Sequence, residues 1–145
     1  MDDHSRYTWV FLLQSKQQVP SLIQYFLIHE TPVKTDIQKV RTDNGLEFIQ
    51  TPCATMFNTI GIIHQTSVPG TPQQNRRVER KHRHLLDTSR ALKIQSNVPI
   101  SFRGECLLTA AYLITKIPIA KLHWKTPHEL LFGTVPDFYL LQVLC

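Results

Sequence analysis

The apolar residues in the first part of the chain form patterns typical of two short strands with a helix between them. The run YTWVFLL, Tyr7–Leu13, is aromatic and β-branched and predicts a largely buried strand. Apolar positions three and four apart within Val19–Leu27 predict a helix that has Pro20 in its first turn. Ile37–Thr42 predicts a second short strand, and the turn-forming sequence DNG that follows predicts its end.

A second helix and a third strand follow the same alternation. Thr51 and Pro52 have the pattern of an N-cap and a proline at the first helical position. They predict a helix over Cys53–Ile60 that stops at Gly61, after which Ile62–Thr66 predicts a strand. Because strands separated by helices pair in parallel, this order predicts an α/β fold with a parallel sheet.

The rest of the chain has a helical pattern. Ser67–Gln74 contains prolines and a glycine and is predicted to be a loop, and Asn75–Gln95 is predicted to be an amphipathic helix. A mostly apolar helix is predicted to begin at Ser101, and a capping box at Thr126 opens a short helix that Gly133 closes. The predicted inward stripe of the amphipathic helix consists of Val78, His82, Leu85, Leu86, Ser89 and Leu92.

Composition limits the class of protein. The 145 residues are 42% apolar and 19% charged, which fits a globular protein, and we interpret positions 1–145 as a single domain. No apolar run reaches the roughly 18 residues of a membrane helix, and the acidic N-terminus lacks a secretory pattern. We therefore expect a chain of the nucleus or cytoplasm, neither secreted nor in a membrane. Cys53, Cys106 and Cys145 lie far apart, which predicts reduced thiols and no zinc site.

Positive charge is concentrated on the amphipathic helix. The formal net charge is +5, and seven of the sixteen Lys and Arg residues fall between Arg76 and Lys93. Cations clustered on one element indicate a nucleic-acid-binding surface more often than cations spread evenly. Glu79 is an acidic residue among the cations of the most basic part of this segment. A carboxylate in such a place is a candidate for a specific role.

Two acids, Asp43 and Glu79, are candidates for one shared site. Asp43 follows a predicted strand and Glu79 opens a helix that is entered from another strand, and ligands gather at the carboxyl ends of parallel strands. Carboxylates there suit hard cations such as Mg²⁺. Two simpler interpretations stay open: Asp43 is an ordinary residue of a DNG turn, and Glu79 pairs with Arg83 or Arg76 on the helix surface.

Longer stretches of the chain resemble one family. The segments DDHSRYTWVFLL, RTDNGLEF, GIIHQTSVPGTPQQN, VERKHRHLL, PISFRGECLLTAAYLI and TPHELLFGTVPDF occur in family order and resemble the integrase catalytic core of copia-type retrotransposon polyproteins. The resemblance covers nearly the whole chain, and RTDNG with TPQQN…VERKHR is its most specific part. It implies a ribonuclease H-like fold followed by C-terminal helices. It also implies DNA integration by polynucleotidyl transfer, with Mg²⁺ or Mn²⁺ ions as cofactors.

The resemblance implies roles for single residues as well. Asp43 corresponds to the second acid of the family's catalytic triad and Glu79 to the third, and both would ligate metal. The helix that carries Glu79 would lie along DNA, either an element end or the target, so that metal and phosphate meet where the helix starts. The residues implied to lie near phosphates are Gln74, Asn75, Arg76, Arg77, Arg80, Lys81 and Arg83. A homo-oligomer is a further implication.

The chain also departs from the family pattern. The family's first acid lies on a central strand that has no counterpart here, so we expect an incomplete fold with the first strand missing and the second nearly so. Such a sheet exposes pairing edges, and two acids are poorly equipped to hold two ions. Arg76 stands where the family has glycine, and Arg103 stands where it has tryptophan. We expect a core fragment that is inactive alone; a non-catalytic nucleic-acid-binding module and an expressed relic are the alternatives.

Several other polar and aromatic residues are expected to have structural roles. His82 is assigned to the core stripe and His84 to the surface, because residues two apart on a helix point in different directions. His64 is expected to be a hydrogen-bonded strand histidine. Trp9 and Trp124 are expected to pack against other side chains. The early pair of aspartates, in MDDHS, is expected to belong to a turn and not to a metal site.

Overall fold

The computed structural model describes residues 1–30, 37–49, 51–67 and 76–138. Its α-helices and strands are, in chain order, α1 (Val19–Tyr25), β1 (Lys39–Thr42), α2 (Leu46–Ile49), α3 (Thr51–Ile60), β2 (Ile63–Thr66), α4 (Arg76–Gln95), α5 (Arg103–Lys116) and α6 (Pro127–Phe132). The chain divides into two compact units, Leu13–Arg77 and the combination of Met1–Leu12 with Val78–Cys145. The prediction of a single domain stays a prediction.

The unit Leu13–Arg77 contains a two-stranded parallel sheet. β1 pairs with β2 in parallel, from Lys39 opposite Ile63 to Thr42 opposite Thr66. The strands predicted over Ile37–Thr42 and Ile62–Thr66 are thus confirmed, although each begins later than the sequence indicates, and their parallel order is confirmed. The direction follows from α3, which carries the chain back along the sheet between the two strands.

The core of this unit forms where α3 packs on the sheet. Cys53 and Phe57 are fully buried and Ile62 nearly so, and burial raises the pKa of the Cys53 thiol. α3 ends at Gly61, whose φ of +77° suits a glycine at the end of a helix, as the sequence predicts. The partly buried apolar residues around this core are Ile23, Leu27, Ile37, Val40 and Met56.

The second unit is built on α4 and α5. Leu85 of α4 packs against Ala110, Ala111 and Ile114 of α5, and all four side chains are buried. The alanines present little bulk at this contact, and the distance between packed helices depends on the side chains that lie between them. Val10, Leu92 and Leu107 pack around this group.

The short helix α6 confirms its predicted caps. The Thr126 hydroxyl accepts a hydrogen bond from the backbone N–H of Glu129 at 3.0 Å. At the other end Gly133 adopts a φ of +73°, and its N–H donates to the Glu129 carbonyl at 2.9 Å. Local sequence signals are therefore sufficient to fix both ends of this helix.

The strand predicted over Tyr7–Leu13 is not among the strands of the described structure. Tyr7 packs on α6 instead: its ring centroid lies 5.4 Å from that of Phe132, and the Trp9 ring packs on Tyr7 with centroids 4.8 Å apart. Trp9 therefore packs as predicted. The prediction for Trp124 is wrong, because this side chain is 74% exposed at a position with a φ of +61°. Aromatic character alone indicates burial, but the left-handed turn at this position directs the side chain to solvent.

Candidate nucleic-acid interface and acidic residues

Asp43 lies directly after β1 with an exposed side chain. Its Oδ1 accepts a hydrogen bond from the Gly45 N–H at 3.1 Å, which is the geometry of an aspartate-initiated turn. A Cβ on Gly45 would lie 3.0 Å from that same oxygen, so a larger residue there would require the Asp43 side chain to shift. Asp43 is therefore a turn residue, as the simpler interpretation predicts. Its carboxylate is also exposed to solvent.

A second carboxylate, Glu47, lies at the same turn. A Cβ on Gly45 would meet the Glu47 carboxylate at 2.9 Å, on α2. Glu47 pairs with Lys16 at 3.1 Å, and a backbone N–H together with Lys16 holds the pKa of Glu47 below its ordinary value. The sequence carries no signal for the role of Glu47, because its partner Lys16 is 31 positions away and α2 is too short to give a periodic pattern.

His64 connects the two strands near Asp43. Its Nε2 lies 2.9 Å from the Thr42 hydroxyl, and its ring packs 4.9 Å from that of Phe57. The Thr42 hydroxyl also donates to the Asp43 carbonyl at 2.8 Å. The prediction of a hydrogen-bonded strand histidine is confirmed, and the contacts hold the end of β1 in place.

Glu79 lies in the first turn of α4 with an exposed side chain. Among the described residues no ion pair joins it to Arg83 or Arg76, so the surface pair that the spacing suggests is not formed. A carboxylate in a first helical turn interacts favourably with the helix dipole. The position of Glu79 is therefore favourable for the stability of α4, and its carboxylate is exposed to solvent.

The first nine residues of α4 form a basic, solvent-facing segment, which we call the basic half of α4. It carries five cations and one carboxylate over residues 76–84, a length of about 14 Å at the helical rise. All of its side chains are exposed except that of Lys81, which is half-buried. Burial lowers the pKa of Lys81. Of the predicted phosphate-contacting residues, Arg76, Arg77, Arg80, Lys81 and Arg83 lie here, and Gln74 and Asn75 fall outside the described residues.

The predicted inward stripe of α4 is wrong for this half. Val78 is 56% exposed and His82 is exposed, whereas Leu85 is 5% exposed and Ser89 is buried. The period of the apolar positions selects a face of the helix, but only the part from Leu85 onward has α5 to pack against. His84 is exposed, as predicted.

A metal centre is not formed by the residues that the structure describes. Within these ranges no three His, Cys, Asp or Glu side chains come together as a group that could hold an ion. Asp43 belongs to the unit Leu13–Arg77 and Glu79 to the other unit, so their shared role stays a prediction.

Asp2 confirms its predicted turn role, because Oδ2 accepts hydrogen bonds from the N–H and the hydroxyl of Ser5, both at 2.6 Å.

The chain is similar in sequence to polyproteins of mobile elements, and no family model matches it. It is 35% identical over 144 residues, 99% of the chain, to the retrovirus-related Pol polyprotein from transposon RE1 of Arabidopsis thaliana. It is also 35% identical over 130 residues to that from transposon TNT 1-94 of Nicotiana tabacum. A Rous sarcoma virus Gag-Pol polyprotein is 35% identical over 98 residues, 59% of the chain. The chain spans about a tenth of the length of the plant polyproteins.

The fold is similar to that of a solved integrase core. The catalytic core domain of BIV integrase superposes with a TM-score of 0.60 at 26% identity, over 86% of this chain and 76% of that one. Within the part of the chain that the structure describes, no helix is both long and apolar enough to cross a bilayer. The chain is thus a homologue of retrovirus-related Pol polyproteins with an integrase-core, ribonuclease H-like fold, which confirms the family and the fold class predicted from the sequence.

Proposed function

From this homology and this fold as the premise, we propose that the chain acts in DNA integration as the DNA-contacting part of an integrase core. The observation that carries the proposal is the basic half of α4, where nine consecutive residues face solvent, apart from half-buried Lys81, and present five cations. Lys and Arg on an exposed helix bind phosphates without regard to base sequence. We propose duplex DNA, held through its backbone, as the partner; the choice of DNA rests on the integrase-core homology.

Within this proposal Asp43 and Glu79 are the second and third acids of the integrase triad. Both carboxylates are exposed, and within the described ranges neither is held in an ion pair. That state is what a metal ligand requires before the ion arrives, and carboxylate oxygens suit Mg²⁺ and Mn²⁺. The cations around Glu79 would offset the repulsion between these acids and DNA phosphates.

We further propose that the chain by itself binds DNA without joining strands. Two-metal phosphoryl transfer holds two ions about 3.5–4 Å apart and needs several ligands to do so. The described residues supply no group of three ligating side chains. This favours a second candidate function, a nucleic-acid-binding module without chemistry, unless a further carboxylate is supplied by another polypeptide.

The binding claim is tested by titrating the full chain with a fluorescent duplex of about 20 base pairs at several salt concentrations. Affinity should fall steeply with salt, since each neutralised phosphate contributes about −0.9 to the slope of log K against log salt. Arg80→Ala should weaken binding and make the slope less steep by about 1. Arg90→Ala is the matched control, because Arg90 is an exposed cation of α4 outside the basic half that pairs with Asp87 at 3.0 Å.

The chemical claim is tested on the same duplex with an exposed 3′-hydroxyl end and Mg²⁺ or Mn²⁺. No joined product is expected from this chain. If product forms and Glu79→Gln abolishes it, the chain is active alone and the assignment of Glu79 to the triad is supported. If binding is insensitive to salt and Arg80→Ala binds like the unaltered chain, the proposed DNA interface on α4 is incorrect.

A further inference from the structure

The connection between α5 and α6 contains a loop that is closed by its own backbone hydrogen bonds. It covers residues 119–125, and we call it the 119–125 loop. The Ile119 N–H donates to the Lys125 carbonyl at 3.1 Å, and the Trp124 N–H donates to the Ile119 carbonyl at 3.2 Å. The next residue, Thr126, is buried and caps α6. These bonds hold the backbone of the loop in a fixed conformation.

The loop presents Trp124 to solvent at an unfavourable backbone angle. Trp124 is 74% exposed, more than any other aromatic side chain that the structure describes. His123 and Trp124 both have left-handed backbones, with φ angles of +53° and +61°. Such angles are unfavourable for residues with a Cβ, and for a bulky one above all. Neither core packing nor backbone preference accounts for an indole here, and strain that is kept at an exposed side chain is typical of a binding site.

The residues around Trp124 in the sequence are basic. Positions 117–128 include two lysines and two histidines but no acid. Lys121 and Lys125 lie on either side of Trp124 in the chain and are exposed, and over the described ranges neither forms an ion pair. An aromatic face for a base, together with cations for the neighbouring phosphates, is the combination that binds single-stranded nucleic acid.

Tyr112 of α5 is a second exposed aromatic residue and differs from Trp124 in one respect. Its side chain is 47% exposed, but the Lys116 ammonium lies 4.6 Å from its ring centroid. One face of the tyrosine is therefore already occupied by a cation. Among the described residues no ring or cation is stacked on Trp124 in this way. The indole is thus the available face, and Tyr112 provides a matched control.

We propose that the 119–125 loop binds an unpaired nucleotide of a single-stranded nucleic acid. The base stacks on the Trp124 indole, and the phosphates on either side of it pair with Lys121 and Lys125. The nucleotide is unpaired because the bases of a duplex are covered on both faces by their neighbours. Base preference is weak, since every base has a face that can stack. The inference does not rest on duplex binding by the basic half of α4, because the two sites share no residue.

The fluorescence of Trp124 itself is the first readout. The chain has two tryptophans, and Trp9→Phe removes the other one while keeping an aromatic ring beside Tyr7. In this variant of the full chain, a single strand of about ten thymidines should quench the emission, because a base stacks on the indole. An abasic strand of the same length, which has the phosphates without the bases, should not quench it. A ribose strand should quench to the same extent, because neither contact uses the 2′ position.

Affinity of the chain with both tryptophans is the second readout, measured by the anisotropy of the labelled single strand. Trp124→Ala should weaken binding about tenfold, which is the size of one base–aromatic stack, and should leave duplex affinity unchanged. Trp124→Phe should recover part of the loss, whereas Trp124→Leu should recover none, because leucine is apolar but has no ring. Tyr112→Leu is the control and should leave single-strand affinity unchanged.

The two lysines are tested by the dependence of single-strand affinity on salt. The double variant Lys121→Ala, Lys125→Ala should make the slope of log K against log salt less steep by about 1.4, since each phosphate of a single strand contributes about 0.7. Trp124→Ala should leave the slope unchanged, because stacking releases no counterions. Arg80→Ala should weaken duplex binding while the quenching of Trp124 by the single strand persists, which separates this site from the one on α4.

Three results would overturn the proposal. The first is equal quenching by the abasic and the thymidine strands, which would show that charge alone brings the nucleic acid to the loop. The second is equal single-strand affinity for Trp124→Ala and the unaltered chain. The third is quenching or a blue shift of Trp124 with vesicles of phosphatidylserine and none with the single strand, which would identify a membrane surface as the ligand.

Discussion

The two halves of α4 are both α-helical, but the first half is exposed to solvent and the second half is packed against other residues. Over residues 76–84 the side chains face solvent, apart from half-buried Lys81, and five of them are cations. From Leu85 to Gln95 the helix contributes Leu85 to the buried cluster with Ala110, Ala111 and Ile114 of α5, and Leu92 packs against that cluster. The second half anchors the helix, and the first half is exposed to solvent. The comparison shows that one continuous helix can be buried against a neighbour at one end and exposed at the other.

The largest expected difference between the halves is in stability. Leu85→Ala removes a buried side chain between α4 and α5 and should lower the free energy of unfolding by about 2–4 kcal/mol. Val78→Ala is the matched change in the exposed half and should alter it by less than about 0.5 kcal/mol. Urea unfolding followed by circular dichroism measures both. Equal losses from the two variants would show that the basic half is packed as firmly as the other.

A smaller difference concerns Lys81, the half-buried cation of the basic half. Burial lowers its pKa in the folded chain below that of the unfolded chain, so the unfolded chain binds the proton more tightly. Stability should therefore rise with pH between the folded and the unfolded pKa of Lys81. Lys81→Met should abolish this rise, stabilise the chain slightly at neutral pH and still weaken DNA binding.

The measurement for Lys81 is urea unfolding at a series of alkaline pH values, with Lys93→Met as the control from the second half of α4. A rise with pH that persists in Lys81→Met would assign it to another group. DNA affinity that is unchanged in Lys81→Met would exclude this side chain from the interface.

The smallest expected effect is that of the carboxylate in the basic half. Glu79→Gln removes a negative charge from the proposed DNA surface and should raise duplex affinity about two- to threefold at low salt, with no measurable change in unfolding. Asp87→Asn removes a charge from the second half and breaks the pair with Arg90, and it should leave DNA affinity unchanged. Fluorescence anisotropy at about 50 mM salt measures both. A fall in affinity for Glu79→Gln would contradict the arrangement proposed here.

Elements with strong local signals were predictable from the sequence. The caps of α6 at Thr126 and Gly133, the end of α3 at Gly61 and the parallel pair of strands follow from residue types and spacing. These signals act within a few residues, where the chemistry of a hydroxyl or the absence of a Cβ decides the backbone conformation.

The errors arise where a distant part of the molecule decides the outcome. Periodicity assigns Val78 and His82 to the inner face of α4, but both side chains are exposed in the described structure, because a period selects a face and does not show what lies beneath it. The pair of Lys16 with Glu47 depends on a tertiary contact that no local pattern encodes. The roles of Asp43 and Glu79 come from family resemblance and not from physical reasoning on spacing, and they stay predictions.

The crowding at Gly45 has a consequence for how this chain can vary. Gly61 and Gly133 have open space around them and are restricted by their positive φ angles, so a residue of inverted chirality would fit at either place. Gly45 is restricted by its neighbours instead, because the carboxylates of Asp43 and Glu47 lie 3.0 and 2.9 Å from the position of a methyl group. Alanine at position 45 would therefore act through these two flexible, negatively charged side chains, which would have to shift, and not through a forbidden backbone angle.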